Sequence, residues 1–244
     1  MKRSEYETMF RVEDGLWWYV GMRAILRAVI ERHYPRGNQL RILDAGCGTG
    51  ATLTCLADYG AATGIDLAPF ALLLSRRRGH ARLSAASVKA MPFATASFDL
   101  VISLDVLQML PAEVERSALA EMARLLASGG RLILRAAAYD WLRGAHDRHW
   151  EVRHRYLPGE LRAKLERAGL AVEHWSFANT WLFPVAAIKR LSEPLFPQQA
   201  HSDLAFNLGP LNAVLAAILS SEAPAVARGR LPFGLSLMVV ARKS

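Results

Sequence analysis

Residues 41–67 read RILDAGCGTGATLTCLADYGAATGIDL. Leu40 to Ala45 is a short apolar run that predicts a strand, and Gly46, Gly48 and Gly50 follow as a turn. Ala51 to Tyr59 predicts a helix closed by Gly60, and Ala62 to Leu67 a second strand. Glycines at the end of a strand let the backbone approach a ligand with no Cβ in the way. Asp66 stands at the tip of the second strand, where a carboxylate can accept both hydroxyls of a ribose.

Two ligands could use this layout. The spacing of Gly46, Gly48 and Ala51 fits the loose dinucleotide pattern, so NAD(P) is a candidate. Asp44 argues against it, because a carboxylate at the tip of the first strand would face a pyrophosphate. S-adenosylmethionine (SAM) instead carries a sulfonium and an ammonium, which Asp44 would favour. The bland reading of Asp44 is a cap on the following helix. The whole constellation favours SAM.

Outward from this stretch the chain alternates helix and strand. Tyr6 to His33 predicts one helix, stopped by Pro35, Gly37 and Asn38. Helices are expected at Pro69–Arg78, Pro111–Ala127 (ended by Ser128-Gly129-Gly130) and Pro158–Ala168. Further strands are expected at Ala81–Ala85, Phe98–Leu104, Arg131–Ala137, Leu170–Phe177 and Leu235–Arg242. Such alternation means an α/β fold with a mostly parallel sheet covered on both faces.

Composition excludes other classes. Of 244 residues 52% are hydrophobic and 21% charged, enough apolar surface for a core and too little charge for a disordered chain. No uninterrupted apolar run reaches the ~18 residues of a membrane span, so no integral membrane association is expected. Met1-Lys2-Arg3 leads into Ser4-Glu5-Tyr6-Glu7 rather than an apolar segment, so no secretory signal is read and a cytoplasmic location is expected. Cys47 and Cys55 alone make neither a disulfide framework nor a zinc site, and no metal is expected. The 30 Lys and Arg against 22 Asp and Glu give +8, but they are scattered. The one tight run, Arg76-Arg77-Arg78, falls where a helix ends, and cations suit that end of the helix dipole. Neither DNA nor RNA is an expected partner.

RILDAGCGTG, GIDLAP, MPFATASFDLVISLDVLQML and LLASGGRLIL carry a resemblance. Residues 41–135 resemble the class I SAM-dependent methyltransferases, in the group often called methyltransferase type 11. The resemblance implies a Rossmann-like, seven-stranded, mostly parallel sheet whose last strand is antiparallel. Outside that core, residues 13–19, His146-Asp147, Arg155-Tyr156, Asn179 to Pro184 and residues 231–234 are similar to one bacterial subgroup. By resemblance, Asp44, Gly46, Cys47, Gly48 and Gly50 lie against the methionine part and ribose of SAM. Asp66 holds the ribose hydroxyls and Leu67 lies on the adenine. Ser87, followed by Val88, stands where relatives often have the Asp that takes the adenine amino group; its bland reading is a helix cap. Ser103 to Leu107, including Leu104, pass beside the methionine. Met109 stands where many relatives have a His, and reads as core filler.

Methyl transfer needs acceptor, methyl and sulfur in line, and a base only if the acceptor loses a proton. Candidate bases follow the fifth strand: Tyr139, His146, Asp147, His149 and His154, with His146 leading and Asp147 orienting it. Their bland reading is a solvated loop. No Asn/Asp-Pro-Pro-aromatic tetrapeptide follows the fourth strand, which counts against methylation of nucleic-acid bases. Trp17, Trp18 and Tyr19 read either as core or as a lid over SAM and acceptor, with Tyr6 and Phe10 as further members.

One SAM-binding unit is expected over 1–244. It divides into an N-terminal helical lid (1–38), a core (39–179), a helical insertion between strands 6 and 7 (180–230) and a last strand (231–244). The insertion, about fifty residues where a hairpin would suffice, would roof an apolar acceptor pocket, form a homodimer face or lie on a membrane surface; roof or dimer face is favoured. The expected function is methyl transfer from SAM, leaving S-adenosylhomocysteine, to a small, hydrophobic or natural-product-like acceptor. The alternatives are a SAM-binding enzyme repurposed for a non-methylating reaction and a non-catalytic SAM-binding partner subunit.

Overall fold

A computed structural model describes residues 2–144, 147–148, 150–192 and 209–244. Seven strands form one sheet: β1 (Leu40–Ala45), β2 (Gly60–Asp66), β3 (Leu83–Ala85), β4 (Phe98–Leu104), β5 (Leu126–Ala137), β6 (Leu170–Ala178) and β7 (Ser236–Lys243). Their order is β3-β2-β1-β4-β5-β7-β6. The pairs among β1 to β5 are parallel, whereas β7 runs antiparallel to both neighbours. The strand order reverses between β1 and β4, and in open α/β sheets the crevice outside the carboxyl edge at such a reversal is where ligands bind.

Helices cover both faces. On one lie α5 (Ala112–Leu125) and α6 (Pro158–Arg167), burying Leu119, Met122, Leu161 and Leu165 with Val101, Leu132 and Leu134 of the sheet. On the other lie α2 (Trp17–His33) and α3 (Ala51–Leu56), burying Ile25, Val29, Leu53 and Leu56 against Ile42, Leu100 and Ile133. The short α1 (Arg3–Val12) packs Tyr6 on Ala71 and Leu74 of α4 (Pro69–Arg77). Arg76 and Arg77 occupy the last turn of α4, as expected of cations at a helix end.

Three local expectations are corrected. The single helix from Tyr6 to His33 is two, parted at 13–16, because Arg23 reaches back to the carbonyls of Glu13 and Asp14 and holds the break open. Ser128-Gly129-Gly130 does not separate helix from strand but lies inside β5, at an irregularity in its pairing with β4. A Cβ at Gly130 would stand 2.9 and 3.0 Å from the carbonyls of Ala127 and Asp99, so the close approach requires glycine. Gly60 opens β2 rather than ending a helix, since α3 stops at Leu56.

The insertion contains α7 (Phe183–Ser192), α8 (Pro210–Ser221) and α9 (Ala223–Ala227). Pro194 and Pro197, which the sequence offers as breaks between helices of the insertion, lie outside the described residues. The stretch Pro210–Ala227 is long and apolar enough to cross a membrane by length and composition, with a mean hydropathy of 1.3. Asn212 and Glu222 interrupt it. Asn212 accepts the Trp17 N–H at 2.8 Å and donates to the Gly15 carbonyl at 2.8 Å, while α8 lies against α2 where Gly21 leaves room for Leu219. Glu222, 1% exposed, accepts the N–H groups of Asn179, Thr180 and Trp181 at 2.7, 2.7 and 2.9 Å. The insertion is thus bolted to the end of β6 and to α2.

Candidate active site

The glycine turn is shaped by its neighbours. Gly46 and Cys47 donate to the Ile65 carbonyl at 2.9 and 2.8 Å, which ties the turn to β2. Gly46 has φ +96°, and the Val106 side chain fills the space a Cβ would take. Gly48, with φ +52°, faces the end of Met9 from α1. Gly50 starts α3 in a left-handed conformation. Cys47 is buried under Gly64, and burial pushes its thiol pKa up, so it is packing rather than a reactive group.

Two carboxylates flank this turn. Asp66 accepts N–H bonds from Gly48 at 3.0 Å and Ala68 at 2.9 Å; burial pushes its pKa up, against those bonds. Asp44 is 2% exposed, and its Oδ2 has no hydrogen-bond partner among the described residues. Burial first, then repulsion from Asp66, pushes Asp44 up to about 7, while Arg135 pulls the other way. An unpartnered buried carboxylate is costly unless a cation meets it. A cationic ligand such as SAM would meet that carboxylate favourably, whereas a dinucleotide pyrophosphate would repel it. Leu67 is 74% exposed at the β2 tip, open for an adenine to lie upon.

Ser87 caps no helix. It closes a turn to Ala90, with the Lys89 N–H 3.4 Å from its Oγ, and Val88 is buried beside it. Leu104 ends β4, half-buried against the α2 side core. Trp18 packs with that core and lays its ring 4.8 Å from the Arg135 guanidinium, with Tyr19 edge-on at 4.9 Å. Met109 is half-buried in a short turn over 107–109.

The candidate bases fare differently. His146 and His149 lie outside the described residues. Asp147 is 2% exposed and fully engaged: Arg155 reaches its Oδ1 at 2.8 and 3.0 Å, and Arg190 and the Gly144 N–H reach its Oδ2 at 3.1 and 2.9 Å. It anchors α7 to the loop after β5. His154 is held at both nitrogens, by Asp140 at 2.9 Å and Glu160 at 2.8 Å. Tyr139 stacks on Phe177 at 5.1 Å and meets Trp141 and Phe183 at 5.8 and 6.0 Å, making an aromatic wall at the carboxyl ends of β5 and β6. Among the described residues no group of three His, Cys, Asp or Glu is arranged to hold a metal.

Sequence reasoning missed the long-range partners. Glu13, 5% exposed, accepts the Thr49 hydroxyl inside the glycine turn and pairs with Arg78 at 2.9 Å. Arg78 also grips Asp14 at 2.7 Å and lies over the Phe10 ring at 4.5 Å, so the N-terminal segment is strapped to the glycine turn and to the end of α4. Gln108 accepts the Ala137 N–H, and its carbonyl accepts the Arg153 N–H at 2.7 Å, binding the loop after β5 to the end of β4. None of these pairs has a local signal in the sequence.

The family model described as a methyltransferase domain matches residues 43–134. Over 87 residues, 32% of this chain and 33% of the relative, it is 40% identical to a ubiquinone biosynthesis O-methyltransferase of Methylocella silvestris. Over 110 residues, 44% of this chain and 43% of the relative, it is 36% identical to a malonyl-[acyl-carrier protein] O-methyltransferase of Enterobacter lignolyticus. The matches span between a third and a half of the length of these curated relatives. Among solved structures, the [4+2]-cyclase SpnF superposes with a TM-score of 0.58 at 24% identity, over 91% of this chain and 80% of that one. The Burkholderia thailandensis 1,6-didemethyltoxoflavin-N1-methyltransferase, solved with S-adenosylhomocysteine, gives 0.56 at 19% identity over 99% and 87%. At such identities these likenesses speak for the fold. Residues 43–134 thus match a methyltransferase domain, and the sheet order is that of a Rossmann-like methyltransferase fold.

Proposed function

We propose that this protein binds SAM in the crevice between β1 and β4 and transfers its methyl group to a small apolar acceptor. The observation that carries this reading is the unpartnered, buried Asp44 carboxylate beside the glycine turn. Asp44 would face the cationic part of SAM, Gly46, Gly48 and Gly50 its backbone-lined side, Asp66 the ribose, Leu67 with Ser87 and Val88 the adenine. SAM supplies a methyl group already activated by the positive charge on sulfur. The chain's own work is to fix the line of attack and exclude water. Residues 1–38 serve as the lid: Met9 reaches Gly48, Tyr6 packs onto α4, and Glu13 clasps Thr49. The wall of Tyr139, Trp141 and Phe183 supports an apolar or aromatic acceptor. We read the protein as cytoplasmic.

The test is incubation of the purified protein with methyl-labelled SAM and a panel of phenols, amines and carboxylic acids. Label in an acceptor with matching S-adenosylhomocysteine supports the reading; absent SAM binding sinks it. A second reading is a non-methylating SAM-binding enzyme. Ser87 and Met109 favour it, departing from the residues relatives often carry there, and a neighbour titled as a [4+2]-cyclase shares the fold. Bound SAM with no acceptor ever labelled would select it.

A further inference from the structure

Resting on the methyltransferase reading, we propose that Asp105 is the residue that meets the acceptor, its Oδ1 taking the hydrogen of the attacking N–H or O–H group. Asp105 is the first residue beyond β4, on the opposite lip of the strand-order reversal from the glycine turn. The next residue, Val106, packs directly onto Gly46, so Asp105 sits against the crevice rather than away from it. Its φ is +60°, a left-handed conformation that non-glycine residues adopt rarely and that gathers at functional sites. The surroundings enforce it: the Asp105 N–H donates to the Arg135 carbonyl at 2.9 Å, and Arg135 Nε and Nη2 both grip Oδ2, at 2.9 and 2.5 Å.

That grip is one-sided. Among the described residues Oδ1 accepts no hydrogen bond, and the Asp105 side chain is 27% exposed against 8% for Arg135. Arg135 is itself pinned beneath the Trp18 ring. One carboxylate oxygen is thus fixed, and the other is left without a hydrogen-bond partner among the described residues on a side chain that is partly exposed. The other acidic and imidazole candidates described beyond β5 are spent, Asp147 on Arg155 and Arg190, His154 on Asp140 and Glu160. The acceptor's nitrogen or oxygen forms the bond to the methyl carbon, the carbon–sulfur bond breaks with its electron pair staying on sulfur, and the acceptor's proton passes to Asp105 Oδ1 and on to water. The acceptor class is an amine or hydroxyl compound carrying a hydrogen on the attacking atom. Arg135 is the positioning residue.

The experiment needs no acceptor. Calorimetric titrations of the full chain compare S-adenosylhomocysteine with sinefungin, an analogue bearing an ammonium where the transferred methyl stands. Wild type is expected to hold sinefungin about tenfold tighter, because a charge-assisted bond to Asp105 is available only to it. Asp105→Asn, which keeps the size and tolerates the left-handed backbone, is expected to bind S-adenosylhomocysteine within about twofold of wild type and to lose the preference. Equal weakening of both ligands, or no change in either, overturns the proposal. So does a wild type with no preference for sinefungin, a result that needs no variant. A wild type that binds neither ligand overturns the methyltransferase reading itself, an outcome distinct from these.

Discussion

Asp44, one residue before the end of β1, and Asp66, the last residue of the neighbouring β2, are both withdrawn from solvent, and only Asp66 is satisfied: it accepts two backbone N–H bonds, while Asp44 Oδ2 accepts none among the described residues. The imbalance makes Asp44 the group whose charge state depends on what enters.

SAM affinity is therefore expected to depend on pH. In the free protein Asp44 is held up at about 7 by burial and by Asp66. A bound cation favours the ionised form and lowers that value. Affinity should be level above pH ~8 and fall by up to about tenfold per pH unit below ~7, where binding must first remove the proton. Calorimetry across pH 5.5–8.5 reads this directly. Asp44→Asn should bind more weakly and with a flat profile over the same range; a wild-type profile equally flat would separate Asp44 from the ligand.

The crevice was legible because its signal is local. Strand, glycine turn and the acid at the next strand tip all lie within residues 41–67. What failed was set by distant partners. The break at 13–16 is held by Arg23 from the next helix, and Gly130 of β5 answers to Asp99 on β4. The ion pairs of Asp147 with Arg155 and Arg190 likewise had no local signal, since a buried carboxylate recruits guanidinium groups from wherever the fold brings them. Asp105 and Arg135 stand thirty residues apart and become neighbours only once β4 and β5 pair.

The N-terminal strap hangs on Arg78. Its guanidinium pairs with Glu13, whose side chain is 6% exposed and whose pKa burial pushes up. Arg78→Ala leaves that carboxylate buried without its cation, and breaking such a pair costs about 3–5 kcal/mol. The expected result is a lower thermal midpoint together with faster release of S-adenosylhomocysteine in stopped-flow dilution. Unchanged release with lowered stability would mean that the strap packs against the crevice without gating it.

Glu222 holds the insertion to the end of β6 through three backbone N–H bonds. Truncation to Ala removes an acceptor that these buried donors cannot replace, at a cost of about 2–4 kcal/mol. Amide exchange at residues 179–181 should speed up well beyond that of the sheet centre, whereas Glu222→Gln should retain part of the protection. Protection unchanged in Glu222→Ala would show that the segment is held by other contacts.

His33 and His174 stack with ring centroids 5.3 Å apart, and the Nε2 of each is buried without a hydrogen-bond partner among the described residues. Arg32 and Arg131 face the pair, with Glu173 3.8 Å from His33 Nδ1 as the counter-charge. Burial, then the neighbouring cations, pushes His174 down from the usual 6.5 to about 4, and His33 moves the same way. In the unfolded chain both rings take up protons below about 6.5, while in the folded protein they resist. Stability contributed by keeping them neutral is full above pH ~6.5 and is lost as pH falls toward ~4. His174→Phe keeps a flat ring against His33 and removes one titrating group. Urea midpoints at pH 7.5, 6 and 5 should show the variant gaining on wild type as the pH drops; parallel curves would mean that acid sensitivity arises among the carboxylates.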